Sequence, residues 1–459
     1  MEQVGGSAER GAEFGRDWTK GSIARNLLSL SWPVIISQSL GMMGLTIDMI
    51  WVGKLGAVSI AGVGVASAVV MMMMPIIQGL TMGVRAMVAR FVGAGDARGA
   101  NHAARQAFII SAVLGAVMAT IGIFLTEPIL TLMGVESEVV AEGAIYTRIM
   151  FLGAVAISSR VMADSIMQTS GDTVTPMIIA IIFVVFHMAL CPSLVLGWWI
   201  FPCLGVRGAA ISNVISQSLG LALGLWVLFT GRTRLRLALS NFRLDLNIIW
   251  RMVRIGIPAS IMGMQRSLGQ LIMMRFMVFF GTLAVAGHTI WQRVEVTMVV
   301  LNIGLGIGAG VLVGQNLGAG KPERAERSGW LALGFSECIM VLCSGAVLLW
   351  AENVVSIFNT EPALVEVASS FLRIAAIGWF VLGSIVFMSC LSGAGDTVPP
   401  MLFELALMWL VMIPLAFFLP RVTDLGMYGV RWAMVAGMFV GAVAYITYFR
   451  LGRWKRKRV

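Results

Sequence analysis

The sequence is poor in charge. Only 12% of its 459 residues are Asp, Glu, Lys or Arg, about half of the roughly 25% that soluble domains carry. Histidine occurs three times, and the five cysteines show neither metal-ligand spacing nor a secreted disulfide framework. These shortages exclude an ordinary soluble domain and leave little material for a catalytic centre. We therefore expect no enzyme, no cofactor and no metal site.

Apolar sequence takes the place of charge. Hydrophobic residues make up 58% of the chain, and the mean hydropathy is +0.89. Crossing a bilayer as a helix takes about 20 apolar residues. Stretches of that length predict an all-α polytopic membrane protein with twelve transmembrane helices, at about 26–52, 58–90, 104–126, 141–166, 176–199, 208–230, 250–280, 283–314, 328–350, 363–392, 400–419 and 428–449.

The net charge of +10 is distributed as membrane topology requires, rather than as nucleic-acid binding would. With the N-terminus inside, the inner loops hold Arg90, Arg98 and Arg105 together with the tail "RLGRWKRKRV", whereas the outer loops hold few basic residues. Basic residues collect in cytoplasmic loops. The sequence thus predicts a multi-pass protein of the cell membrane with both termini cytoplasmic and the lipid bilayer as its surroundings.

The chain contains an internal sequence repeat. Pro33 recurs as Pro258 and Gly56 as Gly281, at one constant offset, and "SGDTVTPM" (170–177) returns as "AGDTVPPM" (394–401). Six helices per half is an even number, so both halves enter the membrane from the same side, with a cleft between them. This is a transporter architecture. The predicted organisation is a tail (1–25), an N-terminal lobe (26–230), a basic linker (231–249), a C-terminal lobe (250–449) and a basic tail (450–459).

One acid lies in the middle of the first predicted helix, in "GLTIDMIWVG". Asp48 is the only ionisable side chain between Trp32 and Val52, and Gln38 precedes it on the same stripe. An ionised side chain in hydrocarbon is costly, so such residues usually face the bundle interior and have a function. The alternative, structural hydrogen bonding between helices, contributes only about 0.6 kcal/mol.

Two polar side chains on the fifth predicted helix lie at a similar depth. Counted along their helices, Asp48 from Pro33 and both His187 and Cys191 from Pro176, all three lie roughly 16 to 22 Å in. If both prolines mark the inner surface, these three side chains meet. The predicted ion-coupling residues are Asp48, His187, Cys191 and, near the outer end of the sixth helix, Asn213.

The order and spacing of several motifs resemble the multidrug and toxic compound extrusion (MATE) family. These include "TKGSIARNLLSLSWPVIISQ", "IDMIWVGKLG", "ARFVGAGDARGA", "MQTSGDTVTPM" and "VGQNLGAGKPERA". The resemblance implies a two-lobed, twelve-helix antiporter that expels bulky, often cationic amphiphiles in exchange for inward H⁺ or Na⁺. The family usually carries Asn and Asp where this chain has His187 and Cys191 in "HMALCP". Because Na⁺ prefers oxygen ligands, we favour H⁺ over Na⁺.

The second half does not copy the acid. Met273 stands where the repeat places the counterpart of Asp48, and Arg266 stands about where some family members have a seventh-helix acid. His288, Gln292, Glu295 and Asn302 form a polar stripe on the eighth helix that should line the cleft. Glu295 either forms a structural ion pair, or attracts substrate or a second proton. The predicted substrate-cavity residues are Gln38, Gln292, Glu295 and Asn302, and the possible ion-pair partners are Arg266, Arg275 and Arg293.

The sequence therefore favours a monomeric secondary antiporter that exports organic cations, amphiphilic drugs or toxic metabolites in exchange for inward H⁺ by alternating access of two lobes. A flippase for a lipid-linked precursor, from the same superfamily, is the alternative within transporters. The twelve spans and the acidic first helix argue against it. A channel would need a selectivity ring and an intramembrane enzyme a catalytic motif; the sequence offers neither.

Overall fold

The computed structural model describes residues 17–132, 134, 136–198, 201–233, 235–237 and 243–457. Within these ranges the chain is helical, with short turns and no strand, so the all-α prediction is confirmed. Residues 1–16 of the predicted N-terminal tail, parts of the predicted linker at 234 and 238–242, and residues 458–459 of the basic tail lie outside them.

Eight helices make up the described part of the first half. Pro33 lies inside the first of them, and a 50° bend separates the fifth from the sixth. The helices are α1 (Ile23–Val52), α2 (Ala57–Met71), α3 (Met74–Gly93), α4 (Ala97–Leu132), α5 (Ser137–Leu152), α6 (Ala154–Ser170), α7 (Val174–Leu196) and α8 (Val206–Thr230).

The second half repeats this order with more interruptions. Two short 3₁₀ segments (Leu382–Ile385 and Arg453–Arg456) and a π-helical turn (Leu407–Met412) fall within or after its helices. The helices are α9 (Leu246–Val278), α10 (Thr282–Gly318), α11 (Pro322–Ser356), α12 (Pro362–Trp379), α13 (Val386–Gly393), α14 (Val398–Ala406), α15 (Ile413–Val422) and α16 (Met427–Leu451).

All twelve predicted spans coincide with helical segments of the described chain, apart from residue 199 at the end of the fifth, which lies outside it. Among the described residues, ten helical segments are long and apolar enough to cross a membrane, with α2 and α3 counted as one segment and α14 and α15 as another, and there are eleven if α5 and α6 form one bent span. Helix α9 matches the seventh predicted span but is not among them, because Gln265, Arg266 and Gln270 lower its hydropathy. The protein is thus a multi-pass α-helical membrane protein.

The chain divides into two compact units, and the division falls inside helices. The first unit includes Trp32–Ser260 and the second includes Thr19–Ser31 and Ile261–Val459. The start of α1 therefore belongs to the second unit, and the start of α9 to the first. The predicted lobes were separated in the linker instead, so the two partitions differ over the first turns of α1 and α9.

Small residues on α3 let the start of α9 pack closely within the first unit. In the first unit, a Cβ at Gly83 would collide with the backbone of Met252, and one at Gly79 with the backbone of Ser260, both on α9. In the second unit, a long side chain holds the segment just before α1 instead, because Lys321 donates to the Thr19 carbonyl at 3.1 Å. Close backbone approach through small residues is how helices associate without a hydrophobic driving force in lipid.

Candidate functional site

Asp48 on α1 is fully buried and is surrounded by hydrogen-bond donors. The Tyr146 hydroxyl donates to its Oδ2 at 2.7 Å, and Asn213 Nδ2 donates to the same oxygen at 3.1 Å. Cys191 Sγ donates to Oδ1 at 3.6 Å. All four side chains are buried. Donors that converge on a carboxylate stabilise its negative charge, and each such bond contributes about 1.5–3 kcal/mol.

His187 completes the cluster without forming an ordinary hydrogen bond. Its Nε2 lies 3.0 Å from Asp48 Oδ1, yet the geometry is not aligned, and Nε2 has no hydrogen-bond partner. The distance is that of an ion pair, while the misalignment leaves His187 Nε2 without a hydrogen bond. A buried imidazole beside a carboxylate is suited to exchanging a proton with it.

Four helices of the first unit bring these side chains together. Asp48 is on α1 and Tyr146 on α5, whereas His187 and Cys191 are one turn apart on α7 and Asn213 is on α8. Residues from α1 and α7 meet at 3.0 and 3.6 Å, which agrees with the depth counted from the two prolines.

The connection between α7 and α8 helps to set the position of Asn213. Gly197 ends α7 with φ at 73°, a conformation that glycine adopts readily. Gly208, on the first turn of α8, packs against the Leu194 backbone so closely that a Cβ would lie 2.6 Å from the Leu194 carbonyl carbon. The two helices can therefore run side by side, with Asn213 facing the acid.

The cluster also contains three different donor atoms that could approach a metal ion. A carboxylate oxygen of Asp48, an imidazole nitrogen of His187 and the Cys191 sulfur lie within 4.8 Å of one another. The Cys191 sulfur is already hydrogen-bonded to Asp48 Oδ1, whereas His187 Nε2 has no hydrogen-bond partner.

Glu295 on α10 is not in the ion pair that the sequence suggested. Within the described residues it has no basic partner within 4 Å, and it is partly exposed. Arg275 lies over the Phe279 ring instead, at 5.2 Å, and Arg293 is exposed. The proposed pairs of Glu295 with Arg275 or Arg293 were therefore wrong. The arginines that act on Glu295 electrostatically are Arg431 and Arg266.

The predicted polar stripe on α10 does not share one environment. Asn302 is fully buried and donates to the Met298 carbonyl at 3.0 Å, while Ser336 on α11 donates to its Oδ1. Asn302 therefore lies in the core of the second unit and not in a cavity, where the sequence had placed it. Gln292 on α10 and Gln38 on α1 are half-buried, and within the described chain no side-chain hydrogen bond is found for either.

Sequence reasoning missed two residues of interest. Tyr146 is one of only four tyrosines in the chain, and this rarity within an apolar span is the signal that could have identified it. Arg431 is 1% exposed within α16. An arginine inside an apolar span is as unusual as Asp48, but it stands next to the predicted helix start, where it could be taken for an interfacial residue.

A duplicated multi-pass helical protein with a buried acid cluster belongs to the transporter class, and comparison with known proteins gives its family. The MatE profile matches residues 33–193 and 258–418, once in each half. The chain therefore belongs to the MATE family, which is a family of transporters and not of enzymes.

Relatives and solved structures agree over nearly the whole chain. The chain is 24% identical to "Probable multidrug resistance protein NorM" from Thermotoga maritima, covering 95% of this chain and 94% of that one. It is 26% identical to a "FAD transporter" from Shewanella oneidensis, covering 86% and 87%. A crystal structure of MATE in the bent conformation has the same fold, with a TM-score of 0.89, 23% identity, and 95% and 96% coverage.

Proposed function

We propose that this protein is a secondary active antiporter that exports organic cations, amphiphilic drugs or toxic metabolites in exchange for inward H⁺. Family membership supports transport, and names such as "Probable multidrug resistance protein NorM" support drug efflux. Bacterial relatives support a position in the cell membrane. We further propose that the protein acts as a monomer, with both termini cytoplasmic, and by alternating access of its two lobes.

The observation that carries the choice of ion is the set of atoms facing Asp48. His187 presents a nitrogen, Cys191 a sulfur and Asn213 an amide nitrogen. Na⁺ requires several oxygen ligands, and among the described side chains that contact Asp48 only Tyr146 does so through an oxygen. An acid beside an unaligned imidazole suits a proton that binds and leaves. We therefore favour H⁺ over Na⁺, with Asp48 as the coupling residue.

The test is substrate-stimulated proton release from the purified protein, with and without Na⁺, followed by transport into proteoliposomes under an imposed pH or Na⁺ gradient. We expect Asp48→Asn to abolish release and gradient-driven transport. Asp424→Asn is the matched control, because Asp424 is exposed and should behave as wild type. A chelator added to each assay should change nothing.

Three outcomes would contradict this proposal. Transport by Asp48→Asn at the wild-type rate would remove the coupling role. Transport driven by Na⁺ alone would reverse the choice of ion. Loss of activity on chelation would point to a bound metal at the cluster.

A further inference from the structure

The second unit contains a buried cation of its own. Arg431 on α16 is 1% exposed. Its guanidinium carbon lies 3.9 Å from the centroid of the Trp291 ring and 4.6 Å from that of Phe371, and its Nη2 is hydrogen-bonded to Nδ1 of the buried His288. Aromatic faces attract a guanidinium, so these contacts hold the side chain in one place without neutralising it.

The charge of Arg431 is not balanced by an ion pair. No carboxylate of the described chain lies within 4 Å of the guanidinium, and its buried Nε has no hydrogen-bond partner. Glu295, one turn after Trp291, acts on it electrostatically without forming an ion pair within 4 Å. Charges inside membranes usually find partners, and a guanidinium presents its donors in a fixed fork that matches carboxylate and phosphate groups.

The repeat shows which residues of the first half correspond to those around this cation. The helices that carry Tyr146 and Phe371 begin at Ser137 and Pro362, which are 225 residues apart, as are Pro33 and Pro258, so this part of the repeat has a register of 225 residues. In that register Asp48 corresponds to Met273 and Tyr146 to Phe371. The ring that carries the hydroxyl donor for Asp48 in one half is thus the ring beneath Arg431 in the other. The two halves place opposite charges against equivalent aromatic positions.

We propose that Arg431 binds the anionic group of a zwitterionic amphiphile, with the cationic end of that molecule facing Glu295. The inference rests on the proposed transport function and narrows its substrate class. Arg431 is closed off in this structure, whereas Glu295 is partly exposed. The anion therefore enters from the Glu295 side, while the buried rings of Trp291 and Phe371 keep the guanidinium in place.

The experiment measures equilibrium binding of two dyes to the purified protein by fluorescence anisotropy. The dyes are a cationic rhodamine ethyl ester and its free acid, which is zwitterionic and lacks only the ethyl group. We expect Arg431→Gln to weaken binding of the free acid at least tenfold and to leave binding of the ester within twofold of wild type. Arg431→Lys, which keeps the charge, should lose less.

Arg275→Gln is the matched control, because Arg275 is an exposed arginine of the same unit, and it should bind both dyes as wild type does. Retained binding of the ester shows that Arg431→Gln is folded. The inference is overturned if wild-type protein does not bind the free acid, if neither dye is affected, or if Arg431→Gln and Arg431→Lys lose both dyes equally. Failure of the proposed function would instead appear as a lack of ester transport by wild type.

Discussion

Replacing Tyr146 with Phe removes one hydroxyl group from the Asp48 cluster and leaves the ring in place. The lost bond spans 2.7 Å, at the short end that is typical when the acceptor is charged. A hydrogen bond to a charged group contributes about 1.5–3 kcal/mol, and one between neutral groups about 0.5–1.5 kcal/mol. We therefore expect Tyr146→Phe to lower the free energy of unfolding by the larger amount in wild type and by the smaller in Asp48→Asn. The difference is a coupling energy of about 1–2 kcal/mol.

The measurement is a double-mutant cycle, with unfolding followed by circular dichroism as SDS is titrated into mixed micelles at neutral pH. Independent sites add within about 0.3–0.5 kcal/mol, so a coupling energy below that range would refute a charged hydrogen bond. Tyr428→Phe is the control. Tyr428 packs against Phe371 in the second unit, and its substitution should show no coupling to Asp48→Asn.

Two further predictions concern packing and the linker. A Cβ at Gly393 would lie 2.8 Å from the Gly310 carbonyl carbon, whereas a Cβ at Gly334 would meet open space. We therefore expect Gly393→Ala to lose about 1–3 kcal/mol of unfolding free energy. We expect Gly334→Ala to gain about 0.5–1 kcal/mol. Equal stabilities in the SDS titration would contradict this. The Ile248 backbone N–H, 3.2 Å away, lowers the pKa of Asp245. The ionised Asp245 side chain therefore stabilises the fold above its unfolded pKa of about 3.9. This stabilisation is lost as the pH falls through the lower folded pKa. Thermal midpoints of wild type and Asp245→Asn should differ at neutral pH and converge in acid; a constant difference would contradict the assignment.

The placement of the acid cluster could be predicted because a helix rises by a constant amount per residue. Counting from Pro33 and Pro176 put Asp48 and Cys191 at one depth, and the structure brings them to 3.6 Å. The same counting required the two prolines to mark equivalent levels, which the duplicated architecture made reasonable. The helical architecture followed from hydropathy in a similarly direct way.

The residues that were missed or misplaced depend on information that one helix does not contain. Tyr146 faces Asp48 because α5 packs beside α1, and no spacing within α5 reveals that neighbour. Asn302 was assigned to the stripe of His288, from which two heptad steps separate it. One heptad step drifts by about 20° around an α-helix, so two steps carry Asn302 about 40° away, towards α11.

Because α1 begins in the second unit and α9 begins in the first, the boundary between the units determines which fragments of the chain can be expected to fold. A fragment that stopped at the linker would leave Gly79 and Gly83 of α3 without the α9 backbone that covers them. That groove would lose the close van der Waals packing against α9, and such packing is what holds helices together within lipid. The smallest first-half fragment that covers this groove therefore extends to Ser260, and any exchange of halves between relatives should be joined there rather than in the linker.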